Sequence, residues 1–168
     1  MTTTDSRLQC ALASIDAANK ADPNQESFDN ERLPKEYAYS LHMTRWLFEL
    51  EPEPSERMQI ACRAQHIERW TMPRSDYGEG RKNYYQWRLA CGRMHGRRAA
   101  EIMAESGYPQ EECERVETII PKRKLREAEE TQLLEDVACL VFQAGSFAGV
   151  FEHNPEFEKE KRRGLVRG

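Results

Sequence analysis

The chain has 168 residues, of which 39% are apolar and 32% are charged, with a mean hydropathy of −0.85 and a net charge of −4. This length corresponds to one domain, and the composition is that of a polar chain that still folds. An acidic chain lacks the positive charge that general DNA binding requires, and no apolar run approaches the length of a membrane-spanning helix. The amino end has no basic region followed by an apolar one, so we expect a cytoplasmic protein.

The cysteines are five in number and are never spaced as Cys-x-x-Cys. An odd count without paired spacing predicts reduced thiols that pack as small apolar residues, and not disulfides or a zinc site. The residues concerned are Cys10, Cys62, Cys91, Cys113 and Cys139.

Apolar residues recur at helical spacing along most of the chain and predict six helices. The polar stretch before the second helix is expected to form a loop, Ser55 should cap the third helix, and Gly107 should follow the end of the fourth. Pro109 opens the fifth helix, and the sixth is the most apolar. The predicted helices cover about residues 6–19, 35–49, 56–70, 83–106, 109–119 and 127–142.

No strand alternation competes with this pattern, so we predict an all-α fold, a single helical bundle spanning residues 1–150. The most apolar helix should lie centrally and orient Glu135 and Asp136. Residues 151–168 are rich in charge and are expected to form a flexible tail.

Two histidines lie within predicted buried helices, His66 and His95, and Asp136 lies in the most apolar helix. Imidazole and carboxylate groups bind first-row metals, and bundle helices can direct such groups to one interior point. We therefore predict that these three residues face one cavity and bind a divalent metal ion. A histidine inside a helix is also often a hydrogen-bonded structural residue, and the long spacings do not separate the two interpretations.

Basic and aromatic residues are concentrated between positions 69 and 88. Arginine binds phosphate or carboxylate in bidentate fashion and aromatic rings stack on bases, so the cluster predicts a pocket for a small anion. The alternative is that arginines and aromatic rings only pack on each other. A second basic run, residues 122–126, predicts a solvated loop or a contact to phosphate or RNA. The predicted substrate-binding residues are Arg69, Arg74, Tyr77, Arg81, Trp87 and Arg88.

Several motifs resemble those of the DUF4202 family, a helical family whose biochemical function is unassigned. They include Met-Thr-Arg-Trp-Leu at 43–47, Ala-Gln-His-Ile-Glu-Arg-Trp at 64–70 and Leu-Glu-Asp-Val-Ala-Cys-Leu-Val-Phe at 134–142. The resemblance covers about residues 8–150. Members of the family continue into a further helical segment, so we expect the end at 145–168 to be truncated or alternatively encoded.

The order of these residues also resembles that of HD-domain metalloproteins, with Tyr39 at the place of the first histidine and Ile67 at that of the first aspartate. This resemblance implies His66, His95 and Asp136 as the metal ligands. It also implies Glu68 as general base, with Glu135 as the second catalytic carboxylate.

The first functional hypothesis is a divergent HD-like metal-dependent hydrolase of a small phosphorylated or nucleotide-like substrate, with an HD-type oxygenase less favoured. The alternative is a non-catalytic helical module that binds a nucleotide, RNA or a protein partner through the arginine and aromatic pocket. The replaced ligand positions, Tyr39 and Ile67, favour the second hypothesis. An interaction subunit with an exposed apolar surface is a third. The sequence leaves the substrate, the metal and the oligomeric state open.

Overall fold

The computed structural model describes residues 3–122 and 129–151, with side chains described for residues 6–122 and 129–145. This part of the chain is predominantly helical, which confirms the all-α prediction. Its helices are α1 (Thr3–Lys20), α2 (Lys35–Leu50), α3 (Glu56–Arg63), α4 (Arg81–Glu105), α5 (Gln110–Ile119) and α6 (Glu129–Phe151). The predicted tail and most of the second basic run lie outside the described residues.

Between α1 and α2 the chain forms an antiparallel hairpin, where the sequence analysis predicted a loop. Its strands are β1 (Gln25–Phe28) and β2 (Glu31–Pro34), with Phe28 paired to Glu31. The two turn residues, Asp29 and Asn30, have φ angles of 47° and 68°, as a two-residue hairpin turn of type I′ requires. The prediction of a loop was wrong because these short strands are mostly exposed and carry no apolar alternation.

Two of the predicted helix boundaries are confirmed by their hydrogen bonds. The Ser55 hydroxyl accepts a bond from the Met58 amide at 3.2 Å, so it caps α3. Gly107 has a φ of 87° after α4, and the amides of Gly107 and Tyr108 return to the carbonyls of Ala104 and Met103. This is the Schellman pattern, which satisfies the last carbonyl groups of the helix.

The helix α3 ends at Arg63, seven residues earlier than predicted. Glu68 has a left-handed φ of 56°, which an α-helix cannot contain, and a 3₁₀ turn follows at Arg69–Thr71. A second 3₁₀ turn covers Arg74–Tyr77. The break after α3 turns His66 and Arg69 toward α2 and α4.

The core is built from all six helices, and α6 packs against α2, α3 and α5. Gly96 allows α4 and α5 to approach closely, because a Cβ atom there would lie 2.8 Å from the carbonyl oxygen of Glu117. Fully buried side chains include Ile15, Met43, Leu47, Ile60, Ile102, Val116, Leu134 and Val137.

All five cysteines carry free thiols in the described part of the chain. Cys62, Cys91 and Cys113 are buried as predicted, whereas Cys10 and Cys139 are exposed, so the packing role predicted for these two is wrong. Among the described residues, no helix combines the length and the apolar character that crossing a membrane would need.

Candidate functional site

A group of polar side chains lies between α2, the turn after α3, and α4, with His66 at its centre. The imidazole of His66 stacks on the ring of Tyr39, with the ring centroids 3.9 Å apart, and lies 5.9 Å from the ring of His95. Glu36 and Arg69 complete the group through contacts with His66. We call these five residues the His66 cluster.

The ring nitrogens of His66 contact both Arg69 and Glu36. One guanidinium nitrogen of Arg69 lies 2.7 Å from Nε2 and 3.2 Å from Nδ1, and Oε2 of Glu36 lies 3.3 Å from Nδ1. Because a guanidinium only donates, a ring nitrogen of His66 accepts from Arg69, and Nε2 is the nearer one. Burial, followed by the positive charges of Arg69, Lys122, Arg88 and Lys35, holds the pKa of His66 well below its usual range. The imidazole is therefore neutral.

Glu36 lies in the first turn of α2 and is 6% exposed. Its backbone amide donates to Asp22 at 2.9 Å, which ties the start of the helix to the end of α1. Burial raises the pKa of the Glu36 carboxyl to about 7, although the positive charge of Arg69 partly opposes the shift. A carboxyl with this pKa exchanges protons readily at neutral pH.

His95 has one ring nitrogen without a partner. Its Nδ1 lies 2.7 Å from the carbonyl oxygen of Ile67, which can only accept, so Nδ1 carries the proton. The other nitrogen, Nε2, is then an acceptor, and it is buried with no hydrogen-bond partner among the described residues. Burial and the neighbouring His66 lower the pKa of His95 to about 3, which keeps the ring neutral. An unpaired buried acceptor is costly and indicates a site for a bound group or water.

The positively charged guanidinium of Arg69 lies beside two neutral rings, those of His66 and Trp87. Its guanidinium lies over Trp87, 4.7 Å from the ring centroid, and the indole N–H donates to the Met72 carbonyl at 2.8 Å. Within residues 6–122 and 129–145, no carboxylate forms an ion pair with Arg69. A positively charged, partly buried side chain in this position suits an anionic ligand.

The sequence of the chain matches the model of one known protein family. The model of the family described as "Domain of unknown function (DUF4202)" matches residues 9–167. The chain belongs to the DUF4202 family. The match extends past the residues that carry the motif resemblance. Neither the curated proteins nor the solved structures gave a match to the chain. The HD-domain resemblance receives no support from these comparisons and stays a prediction.

The DUF4202 chain brings only part of the predicted metal site together. His66 and His95 are neighbours, but Asp136 is exposed and accepts a bond from Gln132 at 2.8 Å, so the prediction that it faces their cavity is wrong. Adjacent helical residues point about 100° apart, so α6 can direct only one of Glu135 and Asp136 inward. Glu135 points inward and forms an ion pair with Lys122.

The residues as placed do not fit a metal ion. A guanidinium nitrogen of Arg69 already lies within 3.2 Å of both ring nitrogens of His66, so a cation bound by His66 would meet a like charge. In the described part of the chain, no group of three His, Cys, Asp or Glu side chains is arranged to hold a metal ion. Metal binding by this DUF4202 chain therefore stays a prediction that this arrangement does not support.

The other predicted residues lie around the cluster. Glu68, the predicted general base, forms an ion pair with Arg98 at 3.4 Å. Arg74 and Arg88 both lie near the ring of Tyr84, and Arg81 lies over the exposed ring of Tyr85. These three arginines are exposed, so they do not line a buried pocket. Tyr77 is partly buried in the second 3₁₀ turn.

The sequence did not reveal that Glu36 is buried or that Lys122 forms an ion pair with Glu135. An acidic residue in the first turn of a helix ordinarily faces solvent and favours the helix dipole, so nothing marked Glu36 as buried. Lys122 has a left-handed φ of 57°. Apart from the two hairpin-turn residues, Glu68 and Lys122 are the non-glycine residues with positive φ in the described chain. Such strained conformations collect at functional sites.

Proposed function

We propose that this DUF4202 domain binds a small phosphorylated or nucleotide-like anion at the His66 cluster. The observation that carries the proposal is the guanidinium of Arg69, which lies over Trp87 and contacts a neutral imidazole where a carboxylate would ordinarily neutralise it. A phosphate or carboxylate would supply the missing negative charge in a bidentate contact.

The surrounding charges favour the same ligand. Burial lowers the pKa of His66 most, and four positively charged side chains lower it further, namely Arg69, Lys122, Arg88 and Lys35. Of the nearby carboxyl groups, Glu135 is paired with Lys122, and Glu36 has a pKa of about 7 and is only half ionised at neutral pH. The region around His66 is therefore net positive inside an acidic chain.

The unprotonated Nε2 of His95 restricts which anions can bind, because it can accept a hydrogen bond but cannot donate one. A fully ionised phosphate offers acceptors alone and would not bond to Nε2. A singly protonated phosphate, or a phosphate ester that carries a hydroxyl group, offers an acceptor to Arg69 and a donor to His95 Nε2. We expect such a ligand to satisfy both groups at once.

Hydrolysis of that ligand is the second candidate function. It is favoured by the Glu36 carboxyl, whose pKa of about 7 and position 3.3 Å from His66 suit proton transfer. The metal-dependent form predicted from the HD resemblance would require ligands other than those placed together here. Elemental analysis of the purified protein, with release of phosphate from generic phosphomonoesters, tests this candidate.

Isothermal titration calorimetry with inorganic phosphate and with glycerol phosphate tests the proposed binding. We expect Arg69→Gln to weaken binding at least tenfold, because a hydrogen bond to a charged group contributes roughly 1.5–3 kcal/mol. The affinity of Arg69→Lys should lie between those of Arg69→Gln and the unmodified chain, since lysine keeps the charge but lacks the planar guanidinium group.

The matched control is Arg97→Gln, because Arg97 is an exposed arginine on α4. It should bind as the unmodified chain does, and circular dichroism should show all variants folded. Equal affinity of folded Arg69→Gln and the unmodified chain would overturn the proposal, as would the absence of binding to either probe.

A further inference from the structure

A row of arginine and aromatic side chains runs along the exposed face at the start of α4. The guanidinium of Arg74 lies 4.6 Å from the ring of Tyr84, and that of Arg88 lies 5.9 Å from the same ring. The ring of Tyr85 follows at 5.9 Å from Tyr84, with Arg81 over it at 5.5 Å. We call these five residues the arginine–aromatic ladder.

The ladder is continuous with the His66 cluster through Trp87. The Trp87 ring lies beneath the Arg69 guanidinium, and its centroid is 5.9 Å from that of Tyr84. Arg88 belongs to the ladder and is near enough to lower the pKa of His66. A ligand that reaches Arg69 from solvent can therefore extend along the aromatic rings of α4.

The exposure and charge of the ladder do not fit a role in folding alone. Tyr85 is 48% exposed, and exposed cation–π pairs contribute little to stability. Within the described residues, Arg74, Arg81 and Arg88 form no ion pair with a carboxylate, although Asp76 and Glu79 lie in the intervening turn. Aromatic rings beside unpaired arginines provide stacking surfaces and positive charge together.

We infer that the anion is a mononucleotide, whose phosphate lies against Arg69 and whose base stacks on the ladder. This inference rests on the proposed function and names its ligand class. Stacking on an aromatic side chain or a guanidinium plane accepts any base, because every base has a π face. A sugar phosphate has no such face and would use the phosphate contact alone.

The experiment compares three probes by calorimetry, namely inorganic phosphate, ribose 5-phosphate and AMP. We expect AMP to bind at least tenfold more tightly than ribose 5-phosphate, from the stacking of one base. Tyr84→Leu and Tyr85→Leu should each reduce this preference and leave the affinity for ribose 5-phosphate unchanged.

Phe48→Leu is the matched control, since Phe48 is an aromatic residue of similar exposure, 43%, at the end of α2. It should leave all three affinities unchanged, and circular dichroism should confirm that each variant is folded. Arg69→Gln should weaken binding of every probe, which separates the phosphate contact from the stacking contact.

The outcomes separate this inference from the proposed function. Equal affinity for AMP and ribose 5-phosphate, with phosphate binding intact, would overturn the inference and leave the proposed anion site standing. Failure of all three probes to bind would overturn both. Tight binding of single-stranded RNA oligomers without binding of AMP would also overturn the inference, since the ladder would then be an RNA surface.

Discussion

His95 should make the domain less stable as the pH falls, and the size of this contribution follows from the burial of its ring. The pKa of His95 falls from an ordinary 6.5 to about 3 in the folded chain. Above pH 6.5 the ring is neutral in both the folded and the unfolded chain. Below that pH the unfolded chain binds a proton that the folded chain rejects, so the free energy of unfolding falls with falling pH.

The magnitude is large enough to measure. Each pH unit between the two pKa values is equivalent to about 1.4 kcal/mol, so lowering the pH from 6.5 to 5 should cost about 2 kcal/mol through His95 alone. The loss should continue until the pH approaches the folded-state pKa of about 3. His66 contributes in the same direction, because its pKa is also lowered by burial. Glu36 opposes the two histidines, because burial raises its pKa to about 7 and the folded chain therefore takes up this proton more readily than the unfolded chain as the pH falls.

The variant His95→Asn isolates the His95 contribution. The asparagine amide can donate to the Ile67 carbonyl in place of Nδ1, and it does not titrate. Loss of the ring should lower stability by a similar amount at every pH, so the diagnostic quantity is the change between pH 6.5 and pH 5. Urea unfolding followed by circular dichroism at the two pH values measures it.

We expect the unmodified chain to lose about 2 kcal/mol more than His95→Asn over this interval. Parallel losses in the two proteins would refute the reasoning. They would show that His95 takes up its proton in the folded state, which a buried ring with its Nδ1 already bonded could do only if Nε2 reached water or an anion.

Substitutions at three further positions test the backbone geometry of the described chain. Gly96→Ala should destabilise by about 1–3 kcal/mol, because its Cβ would lie 2.8 Å from the Glu117 carbonyl oxygen. Gly145→Ala on α6 meets nothing within 4 Å among the described residues and should stabilise by about 0.5–1 kcal/mol. Thermal unfolding measures both, and a stabilised Gly96→Ala would contradict the close contact of α4 and α5. Glu68→Gly should be more stable than Glu68→Ala by about 1 kcal/mol, since both lose the ion pair with Arg98 and only glycine adopts a φ of 56° without strain. An alanine variant as stable as the glycine variant would show that this strain is absent.

The helices were predictable because apolar spacing along the chain is regular and their ends carry standard capping residues. The end of α3 was not predictable, although the residues predicted to be buried in this region are buried. Ala64 and Ile67 are fully buried at the positions that a continued helix would bury. The backbone nevertheless leaves the helix before them, so periodic burial continued through a turn and concealed the break. The hairpin was not predicted because its strands are mostly exposed and therefore show no apolar pattern in the sequence.

The candidate site was predictable where polar residues interrupt apolar runs. His66 and His95 stood out in this way and proved to be neighbours. The choice between Glu135 and Asp136 depended on helical phase to within one residue, which the apolar pattern of α6 does not resolve. The contact between Glu36 and His66 joins residues 36 and 66 through a tertiary arrangement that no local signal encodes.

The energetic cost of the His66 cluster supports a binding role over a structural one. It contains an acceptor without a partner, a carboxyl that burial drives toward neutrality, and an arginine that forms no ion pair among the described residues. An unpaired buried acceptor alone costs about 1–3 kcal/mol, and well-packed apolar residues would often be more stable than such charged groups. A ligand that accepts from Arg69 and donates to His95 would remove two of these costs on binding. Because it would bind the folded chain alone, its addition should raise the unfolding temperature in proportion to the logarithm of its concentration.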